Sequence, residues 1–268
     1  MDERLQGEIA GAEAYEALHV PALFGEWAPR VLDAAKVGTG HAVLDVACGT
    51  GILARTAARR VGSSGRVVGV DPNPGMLVVA ERLDDTIDWR QGTAEELPVE
   101  DRSFDRVVSQ FGIMFFPDPE RAVQEMVRAL APGGRFAIAV WDSLENTPAY
   151  AREVDLLHRM AGPGAADALR APFVLGDRGA VQQMIEGAAS SPVDASTVEG
   201  RGRFPGVRSM VEADLRGWLP VMGVELDEEL IVAILAAAEE ELAEFVAPDG
   251  RTDFLSPAHI FSGRRGDA

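Results

Sequence analysis

Val43-Leu44-Asp45-Val46-Ala47-Cys48-Gly49-Thr50-Gly51 decides the reading of this chain, and Val67-Val68-Gly69-Val70-Asp71 follows it one strand–helix–strand unit later. An apolar run that closes on a glycine turn is a buried parallel strand handing over to a helix, and Ile52-Leu53-Ala54-Arg55-Thr56-Ala57-Ala58-Arg59-Arg60 is helix-compatible. The turn therefore offers free backbone N–H groups at a helix N-terminus. The second strand ends in Asp71, an acid able to accept both hydroxyls of a ribose. Together these features make a nucleoside-binding half-site.

Two kinds of ligand use such a half-site. Gly49-Thr50-Gly51-Ile52-Leu53-Ala54 satisfies the dinucleotide pattern G-x-G-x-x-(G/A), and Asp71 stands where the ribose acid would stand. Asp45 separates the two. A carboxylate at that strand end repels a pyrophosphate and welcomes a cation, such as an amino-acid ammonium or a sulfonium. S-adenosylmethionine has the ribose and the cations and lacks the phosphates. A nicotinamide dehydrogenase is disfavoured accordingly.

Further segments carry a family resemblance. Leu44-Asp45-Val46-Ala47-Cys48-Gly49-Thr50-Gly51 is followed in order by Gly69-Val70-Asp71-Pro72-Asn73-Pro74-Gly75-Met76, Gly92-Thr93-Ala94-Glu95-Glu96-Leu97-Pro98, Ser103-Phe104-Asp105 and Leu130-Ala131-Pro132-Gly133-Gly134-Arg135. In this the chain resembles the class I S-adenosylmethionine-dependent methyltransferases. The branch it is most similar to is the small-molecule one, with the ubiquinone/menaquinone C-methyltransferases and the sugar and natural-product O-methyltransferases. The resemblance implies an S-adenosylmethionine cofactor, a small-molecule acceptor and methyl transfer by in-line displacement. It also admits a cofactor-binding relative that does not transfer methyl, as some natural-product cyclases do.

Composition narrows the partners. A net charge of −18 opposes a nucleic-acid backbone, and the single Lys36 leaves no basic cluster beyond Arg264-Arg265. The Ala-, Arg- and Asp-rich usage points to a GC-rich bacterial source. One cysteine excludes an intrachain disulfide, and no Cys/His spacing reads as a zinc site, so no metal is expected. The N-terminal segment has no apolar signal region, and no uncharged stretch reaches the roughly 18–20 residues of a membrane span. The expectation is a cytoplasmic monomer or homodimer.

The pattern of elements predicts an α/β fold with a doubly wound, mostly parallel seven-stranded sheet. Strands are expected near 42–46, 66–70, 87–91, 105–109 and 134–141, a longer one at 193–204 and a last one near 256–264. Helices are expected near 52–60, 73–83, 119–130, 148–160, 178–188, 207–217 and 227–245. Residues 12–36 read as two helices broken near Pro21. One domain of four parts results: an N-terminal helical lid (1–40), a cofactor-binding core (41–141), a helical cap with two helices around a Pro/Gly-rich loop (142–190), and 191–268 completing the sheet.

Ligands in such sheets lie outside the carboxyl ends of the strands. Asp45 is placed to hold the methionine ammonium, Asp71 the ribose, and Gly49 and Gly51, with Ala47 and Thr50, the close backbone turn. Pro72 and Thr93 belong to the same motifs. Met76 either covers the adenine or packs in the core. The resemblance brings Ala94 and Glu95 to the adenine edge, though Glu95 also reads as a solvated helix-cap acid. Ser109 and Gln110, after the fourth strand, fall beside the methyl-bearing end, and Phe111, Met114, Phe115 and Phe173 are candidate acceptor contacts. Tyr15 is the candidate lid contact. Cys48 reads as a packed thiol. His19 and Asp142 are the candidate catalytic groups, against structural readings of each, and His158 and His259 carry the structural reading. The residues leave open whether oxygen, carbon or nitrogen receives the methyl.

Overall fold

The computed structural model describes residues 3–266. Its strands are β1 (Ala42–Val46), β2 (Arg66–Asp71), β3 (Asp88–Gln91), β4 (Phe104–Gln110), β5 (Leu130–Trp141), β6 (Val193–Val198), β7 (Arg201–Phe204), β8 (Thr252–Leu255) and β9 (Ala258–Arg264). Seven of them form one sheet in the order β3-β2-β1-β4-β5-β9-β6, and β7 pairs with β8 in a separate ribbon. β3, β2, β1, β4 and β5 are mutually parallel, while β9 runs antiparallel to β5 and β6. The chain winds outward one way through β2 and β3 and the other way through β4 and β5. The reversal opens a crevice between the carboxyl ends of β1 and β4, where a doubly wound sheet takes its ligands.

Helices cover both faces. They are α1 (Glu3–Ala14), α2 (Trp27–Ala34), α3 (Ile52–Val61), α4 (Pro74–Leu83), α5 (Pro119–Ala129), α6 (Pro148–Ala161), α7 (Pro163–Arg170), α8 (Arg178–Ala189), α9 (Val207–Ala213), α10 (Leu219–Val221) and α11 (Glu228–Glu241). Local chemistry sets their starts. Asn73, Asp118, Asp177 and Asp227 each accept hydrogen bonds from backbone N–H groups in the first turn of α4, α5, α8 and α11. Apolar residues of α5 and α8, such as Met126 and Ile185, fill one face of the sheet around Leu44 and Phe136. Trp27, Leu32 and Leu53 of α2 and α3 fill the other, continuous with α6, α7, α9 and α11.

Four expectations are corrected. The N-terminal helical region starts earlier than 12, and Pro21 does not break it. Residues Tyr15–Phe24 form a π-helical turn that carries Pro21 inside it, with Gly25 N–H donating to Val20 O at 2.8 Å. Widening the turn absorbs a residue that has no N–H to donate. The expected loop after α6 contains α7, because Pro163 sits in its first turn and Ala165, Ala166, Ala168 and Leu169 follow it. The strand expected over 193–204 is cut in two at Gly200, where a Cβ would come within 2.1 Å of the Trp27 ring, and the chain bends there into β7. β8 has no counterpart among the expected strands, and the last strand begins at Ala258.

The helices after β7 also do more than complete the sheet. α11 packs on α6 and α9, so residues of the last part share the cap with 142–190.

Candidate cofactor and acceptor site

The glycine turn after β1 is built on backbone geometry that few residues tolerate. Ala47, Gly49 and Gly51 have φ of 58°, 54° and 88°. Gly51 is further required by packing, since a Cβ there would lie 2.3 Å from the Trp89 ring. Around Gly49 there is open room, and a Cβ added there would have Tyr15 Cε1 as its nearest neighbour, at 3.9 Å. Asp71, at the end of β2, fixes the turn by accepting Gly49 N–H at 2.8 Å and Asn73 N–H at 2.9 Å. A carboxylate has room for further hydrogen bonds beyond these two.

Beside the turn lies a small cavity walled by Tyr15, Asp45, Ala47, Cys48, Gly49, Ile52, Leu53, Gln110 and Phe111. Asp45 is 1 % exposed, and neither of its carboxylate oxygens makes a close hydrogen bond. The Ala54 amide compensates it in part, but burial pushes its carboxyl well above the usual carboxylate range. Asp71 is raised too, by burial, against the opposing pull of its two amide donors. Gln110 Oε1 and Ser109 Oγ are likewise buried without partners, while Gln110 Nε2 donates to Phe24 O at 3.2 Å. No lysine or arginine stands in this wall. A site of unsatisfied acceptors with no cation fits a cationic, phosphate-free ligand and does not fit a pyrophosphate. The residues present therefore fit S-adenosylmethionine.

The N-terminal segment is fastened over this site. Glu16 accepts from Thr50 Oγ1 at 2.5 Å and from Arg55 Nη2 at 2.7 Å, joining the π-helical turn to the glycine turn and α3. Under it, α1 lies against α4 so closely that a Cβ on Gly75 would meet the Glu8 backbone at 2.5 Å. Tyr15 is half-buried as a residue, but its hydroxyl end is enclosed. Burial, Asp71, Glu16 and Asp45 together push its pKa far above the ordinary tyrosine value. Burial raises the Cys48 thiol as well, with the charges of Asp71 and Asp45 adding to it.

A second cavity adjoins the first and shares Tyr15 and Phe111 with it. Its wall is aromatic: Tyr15, Phe24, Phe111, Phe115, Trp141, Tyr150, Phe173 and Trp218, with His19 and Asp214 among the few polar groups. Phe111 has φ of 57° and lies flat on Trp141, with centroids 3.7 Å apart and planes 6° apart. A strained bulky residue directly after a strand persists only where its surroundings hold it. Phe115 is 41 % exposed and tilts toward Trp218.

Of the residues singled out in the sequence, the structure thus brings Tyr15, Asp45, Ala47, Gly49 and Gln110 to one cavity, and His19, Phe115 and Phe173 to the other, with Phe111 and Tyr15 between. Thr50 serves the lid clasp, and Gly51 the packing of Trp89. Others stand outside both walls. Met76 packs with Ile9 and Ala12 of α1, and Met114 packs in the core beside the sheet. Ala94 is buried in the core, and Thr93 bridges to Glu96. Glu95 takes the Asp118 N–H at 3.4 Å, the helix-cap arrangement, and the Pro72 carbonyl accepts from Gln91. Asp142 turns to His259, at 3.1 Å, and to its neighbour Ser143 N–H, so it braces β5 against β9 instead of facing the aromatic cavity. His259 is further held by Thr197 and Gly176 O, and His158 is exposed. Sequence reasoning missed Glu16, Trp141, Tyr150, Glu153, Asp214 and Trp218. Only Trp141, at the carboxyl end of a predicted strand, carried a positional signal.

Comparison with known proteins agrees with this geometry. Residues 44–138 match the family model described as a methyltransferase domain. The chain is 38 % identical over 133 residues to the 2-phytyl-1,4-naphtoquinone methyltransferase of Thermosynechococcus vestitus, an alignment covering 47 % of this chain and 59 % of that protein. It is 38 % identical over 143 residues to the ubiquinone/menaquinone biosynthesis C-methyltransferase of Hahella chejuensis, covering 51 % and 57 %. The chain thus spans less than two thirds of the length of these relatives. Among solved structures, a putative methyltransferase from an antibiotic biosynthesis pathway of Anabaena variabilis superposes with a TM-score of 0.68 at 15 % identity, over 91 % of this chain and 98 % of that one, which establishes the fold. The likeness to a methyltransferase domain is thus carried by residues 44–138, the strands and turns that wall the first cavity.

Proposed function

We propose that the protein transfers a methyl group from S-adenosylmethionine to a small, planar, largely apolar acceptor. One observation carries this reading: an acid-walled cavity with unsatisfied acceptors opens onto an aromatic chamber, and Tyr15 and Phe111 are walls of both. When bound, S-adenosylmethionine supplies a methyl already activated by its sulfonium. Asp45 would hold the ammonium, Asp71 the ribose hydroxyls, and the backbone around Gly49 would pass close to the ligand. Phe111 and Trp141, stacked as one flat surface, orient a planar acceptor, and the Glu16 clasp keeps the lid closed against water. Alignment of this kind can supply about 7–11 kcal/mol of a barrier. The two relatives named above act on naphthoquinone- and ubiquinone/menaquinone-type molecules, which are planar rings, and that supports the same class of acceptor here.

Composition and fold support the remaining properties in this reading. No helix among the described residues is long and apolar enough to cross a membrane, and we place the protein in the bacterial cytoplasm as a monomer or homodimer. The net charge of −18 supports a small-molecule acceptor over a nucleic acid.

Calorimetry with S-adenosylhomocysteine and with NAD tests the cofactor, and mass spectrometry of the purified protein tests for co-purified nucleoside. Micromolar binding of S-adenosylhomocysteine with none of NAD is expected. NAD binding, or transfer to no member of a panel of quinols and phenols by protein that binds the cofactor, would overturn the methyltransferase reading.

A further inference from the structure

Four buried polar atoms have no hydrogen-bond partner among the described residues: His19 Nδ1 and Asp214 Oδ2, on two side chains that line the aromatic cavity, and both carboxyl oxygens of Glu153, which lies near Asp214 outside that wall. His19 and Asp214 are 7 % and 2 % exposed and are joined to each other, Nε2 to Oδ1, at 3.2 Å. Both side chains line the cavity. They reach it from different ends of the chain, His19 from the π-helical turn Tyr15–Phe24 and Asp214 from a second π-helical turn, Asp214–Trp218. π-Turns recur at functional sites because the widened turn re-aims side chains that an α-helix would direct elsewhere.

The pair is held rigidly. Tyr15 stacks on the His19 ring at 5.8 Å, and Phe204 meets it edge-on at 6.3 Å. Glu153, fully buried on α6, and the Tyr150 hydroxyl share the neighbourhood of Asp214. Burial, and after it the Asp214 charge, hold the Glu153 carboxyl well above its ordinary range. Burial raises Asp214 too, while the hydrogen bond from His19 pulls it back toward the charged form. Partnerless buried polar groups are costly, and their retention here in an apolar chamber points to a ligand that satisfies them.

We propose that the acceptor bears an acidic hydroxyl on its planar ring, a phenol-type group, and that the His19–Asp214 pair takes the proton from it. The inference rests on the reading of this cavity as the acceptor site. With Nε2–H donated to Asp214, Nδ1 holds the free lone pair. The acceptor's O–H bond breaks, its proton forms an N–H bond at Nδ1, and the electron pair stays on the oxygen, shared by conjugation with the neighbouring ring carbon. Asp214 stabilises the charge that arises on the imidazole, as a buried carboxylate does for a catalytic histidine elsewhere. The freed pair on oxygen would form the new bond to the methyl carbon, the electrons of the broken carbon–sulfur bond would stay on sulfur, and the proton on Nδ1 would be returned to solvent as product leaves; where the ring carbon attacks instead, its own hydrogen would leave as the proton and the oxygen would be reprotonated from Nδ1.

The test uses 4-nitrophenol, whose phenolate and phenol absorb differently. It is titrated into protein saturated with S-adenosylhomocysteine, at a pH below the probe's own pKa. The native protein is expected to bind it as phenolate, and His19→Gln and Asp214→Asn to bind it as phenol, all three keeping S-adenosylhomocysteine affinity within about threefold. In turnover, both variants should lose about a hundredfold on 2-naphthol, a weak acid, and less than about tenfold on the acidic 4-nitrophenol, as expected when a base is removed. A bound probe with the same spectrum in native and variant protein, equal loss on both phenols, or no probe bound would overturn the proposal. Failure of the native protein to bind S-adenosylhomocysteine would instead overturn the cofactor reading, and is seen before any phenol is added.

Discussion

The two cavities are made in opposite ways. The cavity proposed for the cofactor lies among strand ends close together in sequence motifs, with Asp45 in its wall and Asp71 holding the glycine turn from outside it. The acceptor side is assembled from Tyr15, His19, Phe24, Phe111, Trp141, Tyr150, Phe173, Asp214 and Trp218, residues brought together only by the folded lid and cap. The first is dictated by what a fixed ligand needs; the second is free to vary with the acceptor. Substitutions on the two sides should therefore separate cofactor affinity from acceptor use.

The largest effect on cofactor affinity is expected at Gly49. Gly49→Val forces a β-branched residue to φ of 54° and fills the open side of the turn, so S-adenosylhomocysteine binding should fall more than about a hundredfold. Because no atom lies within 3.9 Å of the new Cβ, the fold should survive with only modest loss of thermal stability. Unchanged affinity in calorimetry would remove the turn from the ligand's surroundings.

Asp71→Ala comes next. It removes hydrogen bonds to a carboxylate and frees Gly49 N–H and Asn73 N–H, and a loss of about 1.5–3 kcal/mol in cofactor affinity is expected. A folded variant with native affinity would break the comparison at its firmest point. Glu16→Ala should cost less, about 1 kcal/mol, because it loosens the lid without touching the cofactor wall. Stopped-flow release of S-adenosylhomocysteine should show that loss as faster dissociation, and an unaltered rate would show that the clasp does not retain the ligand.

Phe173→Ala marks the other side. Phe173 touches Tyr150 and lines only the aromatic cavity, so acceptor affinity or turnover should change while S-adenosylhomocysteine affinity stays within about 1 kcal/mol. Equal loss of both would show that the two sides are not separable.

The smallest effect is on stability against pH. Burial raises Asp45, so in the range above the ordinary carboxylate pKa the folded protein holds a proton that the unfolded chain has lost. Stability from this group is full at acid pH and declines as pH rises toward the folded value. Melting of the cofactor-free protein against Asp45→Asn should show the native protein losing ground relative to the variant as pH rises above the ordinary carboxylate range. A constant difference would mean that Asp45 is ionised in the empty site.

Legibility followed the same division. β1, β2, β4 and the glycine turn are readable because apolar runs, a glycine pair and a strand-end acid are local signals, and the parallel order follows from strand–helix alternation. The aromatic chamber is readable only in part. Phe111 and Phe115 follow a strand end, but Asp214 and Glu153 are single acids in helical sequence, and nothing local distinguishes them from solvated ones. Pro21 reads as a break because proline removes a helical donor; a π-turn that carries the proline within it leaves no mark in the residue pattern. Gly200 is hidden for a related reason, since its need comes from Trp27, far away in sequence. Met76 has two readings open, and its contact with α1 depends on a helix whose residues lie mostly before the expected start at 12.

The shared walls have one more consequence. Tyr15 and Phe111 each present one ring to both cavities, and Phe111 sits in a conformation held by its neighbours. Any shift of these rings that one ligand favours is felt by the other, and thermodynamic reciprocity then requires the same factor in both directions. If the cofactor tightens the acceptor tenfold, the acceptor tightens the cofactor tenfold. Two small rings at a common boundary are enough to make the occupants of the two chambers sense each other.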